Sequence, residues 1–122
     1  MADDFAIQIG AALDEFNAKV TIAMQETFPE VAKEAAKTLR TVSPKRSGSH
    51  THYATGWRQK TTQDAITIES VVYNATKPGL PHLIEYGHAT RNGGRTKPNE
   101  QIKDVETWVS EEAFNRLQRA LE

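Results

Sequence analysis

The chain has 122 residues, of which 38% are hydrophobic and 25% charged, with a net charge of −1 and no cysteine. At this length one core is the economical arrangement, and the composition lies outside the low-hydrophobicity, high-net-charge regime of disorder. Disulfides, thiolate nucleophiles and sulfur-ligated zinc are excluded, and no apolar run reaches the roughly 20 residues that span a bilayer.

From Asp4 onward, Phe5, Ile9, Ala12, Leu13, Phe16, Val20, Ala23 and Met24 recur at three- and four-residue steps, which predicts one face of an N-terminal helix. Thr27 to Glu30 reads Thr-Phe-Pro-Glu, a capping box with proline in the first turn. A second helical segment is expected there, burying Val31, Ala35, Leu39 and Val42. The sequence leaves open whether the two segments are one kinked helix or two.

Residues 43–52 combine two breakers with hydroxyl and basic side chains, so a solvated loop is expected, with the helix ending before Pro44. Trp57 to Thr62 and Ala65 to Asn74 carry β-branched residues and apolar-polar alternation, which predicts a hairpin turning at Gln63-Asp64. Pro78-Gly79-Leu80-Pro81 releases the chain into a short helix, His82 to Tyr86, stopped by Gly87. Residues 88–99 read as a second basic, glycine-bearing loop. Asn99 then caps a C-terminal helix with an apolar stripe of Ile102, Val105, Trp108, Val109, Ala113, Leu117, Ala120 and Leu121.

The expected fold class is therefore α+β in a single domain over residues 1–122: long N-terminal helix, small antiparallel sheet, short helix and C-terminal helix. A two-stranded hairpin is marginal alone, and its open edges invite strand addition, a physical reason to expect oligomers. Met1-Ala2-Asp3-Asp4 is acidic where a secretion signal is basic, so the cytosol, or a particle assembled there, is the expected location. No membrane partner is expected.

Charge is unevenly placed. Residues 1–36 carry two bases and seven acids, residues 37–99 ten bases and three acids, and residues 100–122 three bases and six acids. A basic middle between acidic ends suits contact between the middle of one copy and the ends of another, while the acids oppose a polyanion.

Catalytic patterns are weak. His82, Glu85 and His88 follow at three-residue steps, a spacing that brings three metal ligands together only if the helix runs past Gly87, and they match neither compact zincin pattern. No Gly-x-Ser-x-Gly elbow surrounds Ser43, Ser47 or Ser49, and Asn92-Gly93-Gly94-Arg95 lacks the spacing of a phosphate-binding loop. No catalytic residue, cofactor or metal is assigned, and the chain is expected not to be an enzyme; a metal-dependent hydrolase is the least favoured alternative. A nucleic-acid-binding module is the stronger rival. Lys45, Arg46, Arg58 and Lys60 with Tyr53 and Trp57, joined by Arg91, Arg95 and Lys97, would supply phosphate contacts and stacking surfaces. Against it, Trp57 suits a core and the bases suit solvent or a neighbouring subunit.

The stretch His82-Leu-Ile-Glu-Tyr-Gly-His-Ala-Thr-Arg-Asn-Gly-Gly-Arg95 resembles the signature of the tail-completion, or head-tail connector, proteins of long-tailed phages, the gene-product-ten family of lambdoid phages. Upstream, Ser43-Pro44, a glycine-containing loop and Tyr53-Ala-Thr-Gly-Trp-Arg58 resemble the loop leading into that family's first strand, and Val72-Tyr73-Asn74 the end of its second. The resemblance covers most of residues 35–97. It departs after the basic loop, where Lys97-Pro98-Asn-Glu-Gln-Ile102 replaces the family's aromatic-proline or His-Ile-x-Pro-Ala segment.

The resemblance implies a virion protein of the phage neck, at the top of the tail, present in the host cytoplasm during assembly. Its implied partners are copies of itself in a ring, commonly of six, the head-completion protein, and the tail terminator or tail tube, with transient contact to DNA passing the channel. The expected interface comprises Lys45 and Arg46 in the first loop, Trp57 and Arg58 at the strand, Glu85, Tyr86 and Gly87 with their flanking His82 and His88, and Arg91, Arg95 and Lys97 in the second loop. Glu85, Tyr86 and Gly87 are expected to set that loop's exit direction.

Overall fold

A computed structural model of the chain describes residues 5–12, 17–43, 52–76, 81, 93–94 and 101–122. In chain order the elements are β1 (Phe5–Ala12), α1 (Ala18–Val42), the single turn α2 (His52–Thr55), β2 (Trp57–Gln63), β3 (Thr67–Asn74) and α3 (Gln101–Leu121). A long helix, a small sheet, a short helix and a C-terminal helix make the fold α+β.

The three strands form one antiparallel sheet in the order β1-β3-β2. β3 is central, and its burial alternates: Ile68, Ser70, Val72 and Asn74 point inward, while Glu69, Val71 and Tyr73 face outward and are half-buried. The β2–β3 hairpin is the one expected from the sequence, with its turn at residues 64–66 in place of Gln63-Asp64. Its turn is set by Asp64, whose Oδ1 accepts from the backbone N–H of Ile66 (2.9 Å) and Thr67 (2.8 Å), with Asp64 N–H donating to the Thr67 carbonyl at 3.0 Å. Those donors hold the Asp64 carboxyl below its usual pKa.

Residues 5–12 do not begin a helix, as their four-residue spacing predicted; they form β1. The same residues also carry a two-residue alternation, in which Ile7, Ile9 and Ala11 pair with Val72, Ser70 and Ile68. That second period prevails because β3 supplies a partner strand, and a hairpin with a third strand is no longer marginal. Register shifts between Phe5 and Ile7, so Ala6 is the extra residue of a bulge. Gly10 permits the close pairing: a Cβ there would lie 2.9 Å from the Ile68 carbonyl oxygen and 3.0 Å from Glu69 Cβ.

α1 is one helix. Its N-cap is Asn17, whose Oδ1 accepts from Val20 N–H at 3.0 Å, and its end is closed by Ser43 N–H donating to the Leu39 carbonyl at 2.9 Å. The capping box expected at Thr27 does not start a helix: Thr27 is buried on the core face, and Pro29 sits inside the helix, removing the hydrogen bond that would reach the Gln25 carbonyl. Packing of Phe28, Val31, Ala35 and Leu39 outweighs that loss of about 3 kcal/mol or more.

α3 runs antiparallel beside α1, with Val105, Val109 and Ala113 buried against a surface made shallow by Ala32, Ala35 and Ala36. Of the expected stripe, Ile102, Trp108, Leu117 and Leu121 are half-buried, and Ala120 is exposed. Near its C-terminal end Arg116, 18% exposed, binds Glu30 and Glu34 of α1 and, at 2.9 Å, Glu112 of its own helix. The Arg116 hydrogen bond pulls the Glu34 carboxyl below the usual carboxylate range, and the carboxylates raise the guanidinium further.

The core has two parts. One gathers Ile7, Val31, Leu39, Tyr53, Trp57, Val72 and the α3 valines; the other gathers Met24, Phe28 and Ile68. The predicted short helix at 82–86, most of the loops at 88–99 and 43–52 and the Asn99 cap lie outside the described residues.

Candidate functional site

Two stretches that carry the family resemblance, Tyr53 to Arg58 and Val72 to Asn74, meet at one corner of the sheet, where Trp57 pairs with Asn74. The Trp57 side chain is fully buried. Its ring meets Tyr53 edge-on, with centroids 5.8 Å apart and planes at 65°, and its Nε1–H donates to Ser43 Oγ at 2.8 Å. A buried indole N–H requires such a partner.

Asn74 is equally enclosed, and both ends of its amide are used. Nδ2 donates to the Tyr53 carbonyl at 2.7 Å, and Oδ1 accepts from Thr76 N–H at 3.2 Å. The turn between α2 and β2 is tied to the same place, with Gly56 N–H donating to the Tyr53 carbonyl (3.1 Å) and Ala75 N–H donating to the Gly56 carbonyl (2.8 Å). Only glycine fits at 56, since a Cβ would lie 2.6 Å from both Asn74 Oδ1 and Thr76 Oγ1.

Because Gly56 turns its carbonyl toward β3, alternation along the strand turns the Trp57 carbonyl the other way. That oxygen accepts from Arg40 Nη2 (2.8 Å) and Nε (3.1 Å) and from Arg58 Nη1 (2.8 Å), which also donates to the Thr55 carbonyl at 2.7 Å. Two guanidinium groups thus converge on the start of β2, a charged guard against strand addition there.

The corner has a topological consequence. Ser43 immediately precedes residues 44–51, and Thr76 immediately precedes residues 77–80; both are hydrogen-bonded into the same knot. The basic stretch 44–51 is therefore anchored at this corner on both sides, by Ser43 before it and Tyr53 after it.

Of the residues expected at an interface, the structure describes Trp57 and Arg58 and makes them neighbours with opposite fates. Arg58 is exposed. Trp57 is a correction: fully enclosed, it is core and offers no face to a partner or a base, and Tyr53 is buried beside it. Lys45, Arg46, His82, Glu85, Tyr86, Gly87, His88, Arg91, Arg95 and Lys97 lie outside the described residues.

The sequence reading missed Arg40, Ser43 and Asn74 as parts of this corner. Asn74 had a signal, since it continues the inward series 68, 70, 72 along β3. Arg40 had none beyond its place on an exposed helix face. Among the described residues, no group of three His, Cys, Asp or Glu could hold a metal ion, and no helix is long and apolar enough to cross a membrane.

No protein-family model, curated protein or solved structure matches this chain.

Proposed function

We propose that the chain is a structural subunit of a phage virion: a tail-completion protein that assembles with copies of itself into a neck ring, taken as hexameric, and joins the tail to the head. Its further partners in this reading are the head-completion protein and the tail terminator or tail tube. The role is one of binding, with no bond-making step assigned to any residue.

The observation that carries the reading is the corner built by Trp57, Ser43 and Asn74. It unites two of the three stretches that resemble the family, and it holds both flanks of the basic segment 44–51 on the sheet. Residues that grip a partner work best when the elements beneath them do not move. The buried hydrogen bonds of the corner supply that stiffness.

The test is deletion of residues 89–96. The variant is expected to keep its helical circular-dichroism signal and thermal midpoint, while heads and tails counted by electron microscopy remain unjoined. Normal joining by the deletion variant would refute the role given to this loop.

A nucleic-acid module is the second reading, favoured by exposed Lys33, Lys37, Arg58 and Lys60 on α1 and β2. Its stacking component is weakened, because Tyr53 and Trp57 are both in the core. Phosphate neutralisation predicts affinity for duplex DNA that falls steeply and log-linearly with salt. Flat or absent binding at low salt removes this alternative.

A further inference from the structure

The two edges of the sheet are unlike. Among the described residues, β1 and β2 each pair with β3 alone, so each turns a row of main-chain donors and acceptors away from the sheet. β2 carries the exposed bases Arg58 and Lys60, and Arg40 reaches over its start. β1 reads Phe-Ala-Ile-Gln-Ile-Gly-Ala-Ala, with no charge and no proline in eight residues. Charges and prolines are what discourage strand addition at an edge. The bulge at Ala6 blunts only the beginning of β1, and residues 7–12 keep a regular register.

The order of side chains along β1 indicates what this edge fits. Ile7, Ile9 and Ala11 share the inner face with their partners Val72, Ser70 and Ile68, while Gln8 and Gly10 share the outer face with Val71 and Glu69. A second β1, laid antiparallel about a two-fold axis through Ile9, keeps the same faces together. It sets Ile7 opposite Ala11, Gln8 opposite Gly10 and Ile9 opposite its own copy, so a large side chain meets a small one everywhere but at the axis. Gly10 and Ala12 leave a shallow hollow on the outer face, bordered by Thr67 and Glu69, and Gln8 of the second copy arrives beside it. An axis through Gln8 instead sets Ile7 against Ile9 and leaves Gly10 facing the bulged Ala6. Pairing of β2 with itself brings Arg58 and Lys60 of two copies together, which like charges oppose.

We infer that β1 pairs with β1 of a second copy, antiparallel about a two-fold axis at Ile9, joining two three-stranded sheets into one of six strands. The contact is made by the main chain, and the Gln8 amide keeps its bond to Glu69 of its own chain. The match of β1 to itself in side-chain size and in lack of charge selects the occupant, independently of the virion reading. A two-fold contact closes on itself as a dimer whatever role the chain has.

The experiment combines amide hydrogen exchange and sedimentation velocity of the full-length parent chain, dilute and concentrated, with thiol cross-linking. The parent dimerises as concentration rises and stays dimeric in high salt, since no charge makes the contact, and protection is gained at residues 7–11 and not at 57–63. The chain has no cysteine, so Ile9→Cys carries a single thiol. Directly opposed strand residues have Cα atoms about 4.5–5.5 Å apart, inside the range of about 4.4–6.8 Å that a disulfide bridges, so mild oxidation of Ile9→Cys yields a covalent dimer. Gln8→Cys, displaced from its own copy by two residues, cross-links far more slowly, and Lys60→Cys stays monomeric. A parent chain still monomeric at about 1 mM, association lost in high salt, or protection gained at 57–63 overturns the pairing, and these readings need no variant to fold. Equal cross-linking of Gln8→Cys and Ile9→Cys overturns the register, and a covalent dimer from Lys60→Cys overturns the choice of edge.

Discussion

The two parts of the core are built on different physics. Around Met24, Phe28 and Ile68 the contacts are apolar and non-directional, so side chains of similar volume can replace one another. At the corner the packing around Trp57 is threaded by hydrogen bonds, from its indole to Ser43 and from Asn74 to Tyr53 and Thr76, and no buried side-chain polar atom among the described residues lacks a partner. The first part supplies stability; the second also fixes the places of Ser43 and Thr76 at the sheet corner.

Substitutions can sharpen that contrast. The largest effect is expected from Trp57→Ala, which empties the corner and costs about 3–5 kcal/mol in urea unfolding. A cost below about 1 kcal/mol would mean that the corner is not part of the cooperative core. Next come Asn74→Ala, which takes one of two donors from the Tyr53 carbonyl and the acceptor from the Thr76 N–H, and Ser43→Ala, which strands the Trp57 indole N–H. Each is expected to cost about 1–3 kcal/mol, against less than about 1.5 kcal/mol for the volume-conserving Met24→Leu. Equal costs for Asn74→Ala and Met24→Leu would erase the distinction between the two parts.

A smaller effect is expected from Arg116→Ala, about 1 kcal/mol or less, because Glu30 and Glu34 remain largely in water. The effect should shrink in high salt. Its pH dependence has a definite sign: the Glu34 carboxyl is lowered in the folded state by Arg116, so its contribution is present above the ordinary carboxylate value and lost as pH falls through the lowered one. Acid titration of stability should therefore separate the parent from Arg116→Ala at neutral pH and bring them together in acid. Curves that stay apart there would place the effect of Arg116 in packing by its aliphatic stem.

Much of this fold was legible in the sequence. The hairpin, α3 and the second half of α1 announce themselves by alternation or by three-and-four spacing, because each buries one face and shows the other to water. β1 was not, since Phe5, Ile9 and Ala12 satisfy the helical period as well as Ile7, Ile9 and Ala11 satisfy the strand period. The deciding contact is with β3, some sixty residues away, and no local signal carries it. Thr27 and Pro29 mimic a helix start for a related reason: their local preference is real, but burial of the surrounding apolar face outweighs it. At the candidate site, Arg58 was legible as an exposed base. Trp57 was ambiguous, since an aromatic beside basic residues fits a stacking surface and a core equally well. Its partner Ser43 settles the matter only in three dimensions.

The uninterrupted course of α1 has a mechanical consequence. Its 25 residues span about 37 Å at 1.5 Å per residue, reaching from Asn17 at one pole of the body to Ser43 at the corner. A pull on the segments rooted there is carried along a single stiff strut and spread in shear over the flank it shares with α3, so load on the corner reaches the opposite pole without passing through any loop.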